Sequence, residues 1–410
     1  MAKGLKGTGN LNTERAAAPA ESFGAKRVRM MLGRWRTIAL LSFFLIVLGL
    51  VSFLRPLKDF VEYWTAAHLF LSRQNPYSIA AMMALQKPLG WAEPLPLMFL
   101  DPPWVLPFIL PFAFPGSYQL AWSIWILTIA ASLVLSSRIL LNIYCEDVRV
   151  PEISDTPCLR GLFIFSFYPV LLCLRFAKTT PLLLLGLAGF IWFQRRNRLI
   201  AAGLSLSLVA LKPNLIYLVL LALVLTRSWK VIASSGFVVT ALSCITLLMD
   251  HGIFSEYFQF IHSPYMALYP SALGWVLRLP FSVISTSWMQ WVPTFGGLVW
   301  FGLYWRRHRD NWSWEEQMPV LMTASLLTTS YARLYDQALL AIPIVYLFGR
   351  YVRARGFIAR KYVAIYTVLN FGLIAGAMVT SPFAYPIAPI ALSLLLLSSG
   401  ASRTAAQVTA

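Results

Sequence analysis

Long apolar runs follow one another along nearly the whole chain, and no polar stretch between them is long enough to build a soluble domain. Runs of spanning or near-spanning length lie at about 118–141, 160–177, 180–194, 199–211, 213–226, 231–249, 288–305, 317–331, 335–349, 361–380 and 385–400. An earlier run, Thr37 to Leu54, is too long for a signal-peptide core and lacks a small-residue cleavage site, so it reads as a retained first helix. Charged residues make up only 12% of the 410 residues, about half the share expected of a soluble domain. These features predict an all-α integral membrane protein, a polytopic bundle of about 11–13 transmembrane helices.

Charge supports the same class. The net charge is +18, but the basic residues fall in short clusters between apolar runs: RRNR (195–198), RSWK (227–230), RRHR (306–309) and RYVRARGFIARK (350–361). That distribution is a topology signal, and it argues against a nucleic-acid partner. It predicts both termini in the cytoplasm, with residues 1–35 a disordered basic tail, 36–400 the membrane domain and 401–410 a second tail. This register makes 55–117 the first extracytoplasmic loop and requires Leu97 to Phe114 to be re-entrant or surface-lying. The four cysteines show neither metal spacing nor a disulfide framework.

The same register gathers the ionisable residues of the apolar breaks on the extracytoplasmic face: Asp59, Asp101, Lys178, Lys212, the EYFQFIHSPY loop (256–265) and YARLYD (331–336). Ionisable residues beside membrane segments mark functional sites. Residues 59–73 read as an amphipathic helix lying along the membrane, with Asn75-Pro76-Tyr77 as its stop. An aspartate at the start of such a helix can take a proton from an acceptor hydroxyl. Glu62, one turn on, is a partner or a solvated acid. Asp101, ahead of Pro102-Pro103, either caps a helix or lines the site. Lys178 and Lys212 either snorkel to the headgroups or pair with a phosphate. Arg333 and Asp336 either pair with each other or join the site. No carboxylate pair at metal spacing stands out in these outer segments, so no obligatory metal and no cofactor are expected. Nucleotide-binding loops, the HExxH signature and the GxSxG elbow are all missing from the sequence.

The polar landmarks resemble glycosyltransferase family 87 in order and spacing. Asp59-Phe60, Tyr63-Trp64, Ala66-Ala67 and Asn75-Pro76-Tyr77 are similar to its first outer loop. Asp101-Pro102-Pro103, Thr179-Thr180-Pro181, Ala202-Gly203-Leu204 through Lys212-Pro213, and Tyr331-Ala332 with Tyr335-Asp336 follow in the family's order. The resemblance implies a GT-C architecture, a polyprenyl-phosphate sugar as donor, and a glycan or glycolipid acceptor at the extracytoplasmic face of the cell membrane. Mannose is the donor sugar best known in the family; arabinose fits these residues as well. Asp59 takes the general-base position in an inverting transfer. Lys212, Lys178 and Arg333 are the candidates for the donor phosphate, and Glu62, Tyr63, Asn75, Tyr77, Asp101 and Asp336 for the remaining substrate contacts. Three positions depart from the family pattern: Ala177-Lys178 stands for Gly-Gln, Asp101 for an aromatic, and Gln337 follows Asp336 where a histidine is common. The rival from another class is a transporter or flippase of a polar lipid.

Overall fold

The computed structural model describes residues 59–146, 164–263, 265, 272–278, 287–353, 357–378 and 384–408. The basic tail, the expected first helix at 37–54 and Cys158 lie outside them. All described residues belong to one unit, Val51–Ala410. Every regular element among them is helical.

The chain opens with a helical hairpin, α1 (Phe60–Leu71) and α2 (Ile79–Gln86). Asn75 Oδ1 accepts the Tyr77 N–H at 2.7 Å, closing an Asx turn between them. Ser78 then caps α2 by accepting the Ala81 N–H. Buried Gln86 takes both backbone groups of Leu97 at 2.8 Å, which pins the extended stretch leading to Asp101. A broken helix follows: a 3₁₀ turn Pro103–Val105, α3 (Leu106–Ile109) and a second 3₁₀ turn Leu110–Phe112. Prolines 103, 107 and 111 remove backbone donors and break it into these pieces. Ten residues rise only about 15 Å, half a bilayer core.

Then come α4 (Tyr118–Cys145), α5 (Tyr168–Phe176), α6 (Thr180–Arg195) and α7 (Leu199–Leu206), the last extended by a 3₁₀ segment Ser207–Leu211. A 3₁₀ turn Pro213–Ile216 leads into α8 (Tyr217–Leu225), followed by α9 (Trp229–Met249), α10 (Ile253–Ile261) and α11 (Ala272–Arg278). The remainder is α12 (Val292–His308), α13 (Trp314–Thr328), a 3₁₀ segment Leu334–Leu340 running into α14 (Ala341–Arg353), α15 (Phe357–Met378) and α16 (Ala384–Val408). By length and apolarity α4 and α9 can each cross a membrane, and the other apolar helical stretches, Ala364–Met378 and Tyr385–Leu397 among them, are shorter. The expected tail from residue 401 is helical as far as Val408.

Helix α6 is the hub. It packs against α4, α7 and the 3₁₀ segment 334–340, and Leu183, Leu184, Leu187, Phe190 and Ile191 are wholly buried. A methyl group on Gly186 would lie 2.8 Å from the Ser205 carbonyl oxygen, so glycine sets how closely α7 approaches. In contrast, α9 buries only Val231 and Thr246 and turns Phe237 and Leu248 outward, as a lipid-facing helix does.

Two expectations need correction. Residues 60–71 do form a helix, but it does not lie on a surface. Phe60, Val61, Tyr63, Thr65, Ala66, Ala67, Leu69 and Phe70 are all buried, because only Glu62 and His68 interrupt its apolar and small residues and α3, α4 and α2 enclose it. The stretch 256–265, expected as a loop, is helical through Ile261.

The helices also have two distinct ends. Helix α6 begins at Thr180 and ends at Arg195, and α7 with its extension runs back to Lys212. At the first end Thr180 and Lys212 both reach Asp336. At the other end Arg195 reaches Glu315, and Tyr144 donates to the Glu315 carbonyl.

Candidate active site

A cavity of about 740 Å³ opens at the Thr180 end. Its walls include Asp59, Glu62, Tyr63, Asp101, Lys178, Lys212 and Arg333. The broken sequence elements thus meet around one space. Asp336 sits behind this wall, while Asn75 and Tyr77 are not among its lining residues. Asn75 closes the α1–α2 turn, and the Tyr77 hydroxyl donates to the Asp101 carbonyl at 3.0 Å, holding the Asp101 backbone in place.

Two buried cation–carboxylate groups organise the cavity. In the first, Lys178 Nζ lies 2.9 Å from Asp59 Oδ2 and 2.8 Å from Glu62 Oε1. Glu62, expected as a solvated acid or a partner, is buried and paired. Burial raises the Glu62 carboxyl above the ordinary carboxylate range, against the pull of Lys178. Of these three groups Asp59 is the most open, its side chain 22% exposed against 8% for Glu62. In the second, Lys212 Nζ donates to Asp336 Oδ1 at 3.0 Å, Thr180 Oγ1 donates to the same oxygen at 2.9 Å, and the Arg333 N–H donates to Oδ2 at 2.9 Å. Asp336 is therefore saturated and fully buried. It meets Arg333 through the backbone, and the Arg333 side chain instead hydrogen-bonds Tyr385.

Local backbone explains why the lysines point inward. Ala177 adopts a left-handed conformation, φ 52° and ψ 42°, which costs an L-residue roughly 1–2 kcal/mol. Its carbonyl accepts the Trp125 indole N–H at 2.7 Å, and Trp125 packs against Phe60 and Tyr63 with ring centroids 5.5 and 5.4 Å apart. Helix α1 and the Lys178 turn are thereby tied to α4. Pro213 stops the helical hydrogen bonds after Leu211, and Lys212 takes an extended φ of −142°. Asn214 beyond it donates to the Tyr331 carbonyl at 2.8 Å, fixing the break to the 331–336 turn.

Asp101 caps no helix: Pro102 occupies the cap position of the 3₁₀ turn, and Asp101 faces the cavity. Burial pushes its carboxyl up to about 7, partly offset by Lys212. The snorkelling alternative for Lys178 and Lys212 is not what the fold adopts, since both are buried against carboxylates.

Tyr168, Arg175, Asn214 and Tyr385 line the cavity and escaped the reading of the sequence, whereas Tyr257, Tyr331 and Tyr335 lie in stretches it placed at this face without a role of their own. Arg175 carried a signal, as a lone arginine inside an apolar run three residues before Lys178. Asn214 carried another, directly after the Lys212-Pro213 break. Tyr168 and Tyr385 carried none, because tyrosine is equally at home in a core or at a membrane interface.

The cavity combines an accessible carboxylate, buried cations and tyrosine hydroxyls, which suits proton removal from a hydroxyl beside an anionic leaving group. A search of curated proteins finds no match, and neither does a search of solved structures. The model for glycosyltransferase family 87 matches residues 99–382, which include Asp101, both lysines and the 331–336 turn and begin after α1. The chain belongs to glycosyltransferase family 87, a family of membrane enzymes, and acts on a sugar donor and an acceptor.

Proposed function

We propose that this glycosyltransferase is a multi-pass protein of the cell membrane that uses a polyprenyl-phosphate sugar, mannose first among the candidates, and glycosylates an extracytoplasmic glycan or glycolipid. Membership of a glycosyltransferase family sets aside the transporter reading. The observation that carries the mechanism is the unequal exposure of the carboxylates beside Lys178: both line the cavity, but the Asp59 side chain is 22% exposed and that of Glu62 8%.

In this reading the acceptor hydroxyl gives its proton to Asp59. Its oxygen attacks the anomeric carbon, the bond from that carbon to the phosphate oxygen breaks, and the electron pair leaves with the polyprenyl phosphate. The configuration inverts. Leaving-group charge needs fixed cations and donors. Arg333 and Lys212 suit it best, with Tyr331 and Tyr335 beside them in the wall. Lys178 already serves two carboxylates. The two ends of the bundle support the proposed orientation. The clusters 195–198, 227–230 and 306–309 all lie at helix ends opposite the cavity, so positive-inside topology turns the cavity outward.

The test is transfer from a panel of labelled polyprenyl-phosphate sugars in membranes carrying wild type or Asp59→Asn. One donor should be used by wild type, with a loss of about 10²–10⁴-fold in the variant at equal expression. Transfer that survives the substitution removes Asp59 as base. Silence across the panel with acceptors present removes the polyprenyl-phosphate donor.

A further inference from the structure

We propose that Lys178 is a positioning residue for the reaction: it clamps Asp59 and Glu62 side by side and so keeps Asp59 available as base. This rests on the assignment of Asp59 above, and it replaces the phosphate contact expected of this lysine.

The first argument is the ammonium's surroundings. Lys178 Nζ has carboxylate oxygens at 2.9 and 2.8 Å, and the faces of Tyr335 and Tyr63 at 5.1 and 5.9 Å from their ring centroids. Two acids and two aromatic rings surround a side chain that is 4% exposed. Two of its three N–H donors are committed to carboxylates, which leaves at most one for a donor phosphate.

The second argument is the acids' spacing. Asp59 and Glu62 stand three residues apart at the start of α1, so both carboxylates fall on one face of the first turn. Two such groups in a poorly solvated place cannot both stay ionised without a cation between them, and one would otherwise hold a proton. The other charged groups that line the same cavity are Lys212, Asp101, Arg175 and Arg333. Lys178 thus leaves the trio with a single negative charge.

The third argument is the backbone. The turn that delivers Lys178 holds Ala177 in the left-handed region, and the Lys178 N–H bonds back to the Cys173 carbonyl at 3.0 Å. Trp125 joins that turn to α1 by its indole N–H and its ring contacts. The left-handed residue is the ordinary helix-end cap that Arg73, Asn197 and Arg227 also provide, and the brace to Trp125 is what this turn adds. Its product is a fixed distance between one ammonium and two acids.

The experiment compares Lys178→Gln, Lys178→Arg, Glu62→Gln/Lys178→Gln and Asp59→Asn, using polyprenyl-phosphate mannose or whichever panel donor wild-type membranes use. Lys178→Gln should lower kcat about ten- to a hundredfold while the donor KM stays within about twofold, and should move the acidic limb of the pH–rate profile up by about one unit. Lys178→Arg should recover most of the rate. If Lys178→Gln fails to fold, the double variant, which removes one acid with the cation, should keep much of the wild-type rate with the donor KM within about twofold, and a raised donor KM there would make Lys178 a phosphate ligand. A raised donor KM with an unmoved pH profile would make Lys178 a phosphate ligand and overturn the proposal. A rate equal to wild type would overturn it too. Activity in Asp59→Asn would instead remove the base, a failure of the parent reading visible apart from any result at Lys178.

Discussion

The two ends of the helix bundle treat charge in opposite ways. At the cavity end Lys178 and Lys212 are 4% and 8% exposed, each within 3.0 Å of a carboxylate. At the far end Arg195 is 39% exposed and stands 3.4 and 3.6 Å from Glu146 and Glu315. Arg309 and Asp310 are more open still. Burying an ion costs several kcal/mol unless its partners repay the lost water, whereas an exposed pair contributes at most about 1 kcal/mol. A chain gains no topology signal by burying lysines. The expensive charges are therefore the ones to associate with chemistry, and the inexpensive ones with orientation.

Breaking a buried pair should have the largest effect on stability. Lys212→Met leaves Asp336 buried with only neutral donors, Thr180 and the Arg333 N–H. It should cost about 3–5 kcal/mol, read as a fall in Tm in detergent and in yield of folded protein. A Tm within a degree of wild type would mean that the cavity end is better hydrated than its burial implies.

Asp101 sharpens the comparison by pH. Its carboxyl titrates at about 7 in the folded protein, above its ordinary value of 3.8. Folding thus favours the protonated form. The associated stability is fully present below the ordinary value and is lost as pH rises through about 7. Asp101→Asn, which keeps the shape without the charge, should raise Tm relative to wild type at about pH 8.5 and much less at about pH 5. An equal gain at both would show that Asp101 is not desolvated in the fold. At the opposite end Arg309→Gln should change Tm by less than a degree and leave sugar transfer unaltered, since its pair with Asp310 is open to solvent.

Much of this contrast was legible in the sequence, for a physical reason. Apolar runs must be helical in a membrane, so helices α4 to α9 fall close to where hydropathy places them. Polar residues at proline breaks must have a partner, which is why Lys178, Lys212, Asp101 and the 331–336 turn could be picked out singly. Which partner each takes was not legible. Lys178 meets Glu62 across 116 residues and Lys212 meets Asp336 across 124, and such pairings depend on how helices pack rather than on any local pattern. The burial of α1 was hidden for a related reason. Its aromatic and small residues give no polar face, and only the neighbouring helices decide whether such a surface meets lipid or protein.

We propose that the buried charges of one end serve sugar transfer through Asp59. It is tested most directly by measuring donor binding and transfer on the same purified samples of wild type and Asp59→Asn, with polyprenyl-phosphate mannose as the first probe. The variant should bind donor within a few-fold of wild type and lose at least about a hundredfold in transfer. Transfer at the wild-type rate, with donor bound equally well, would contradict it.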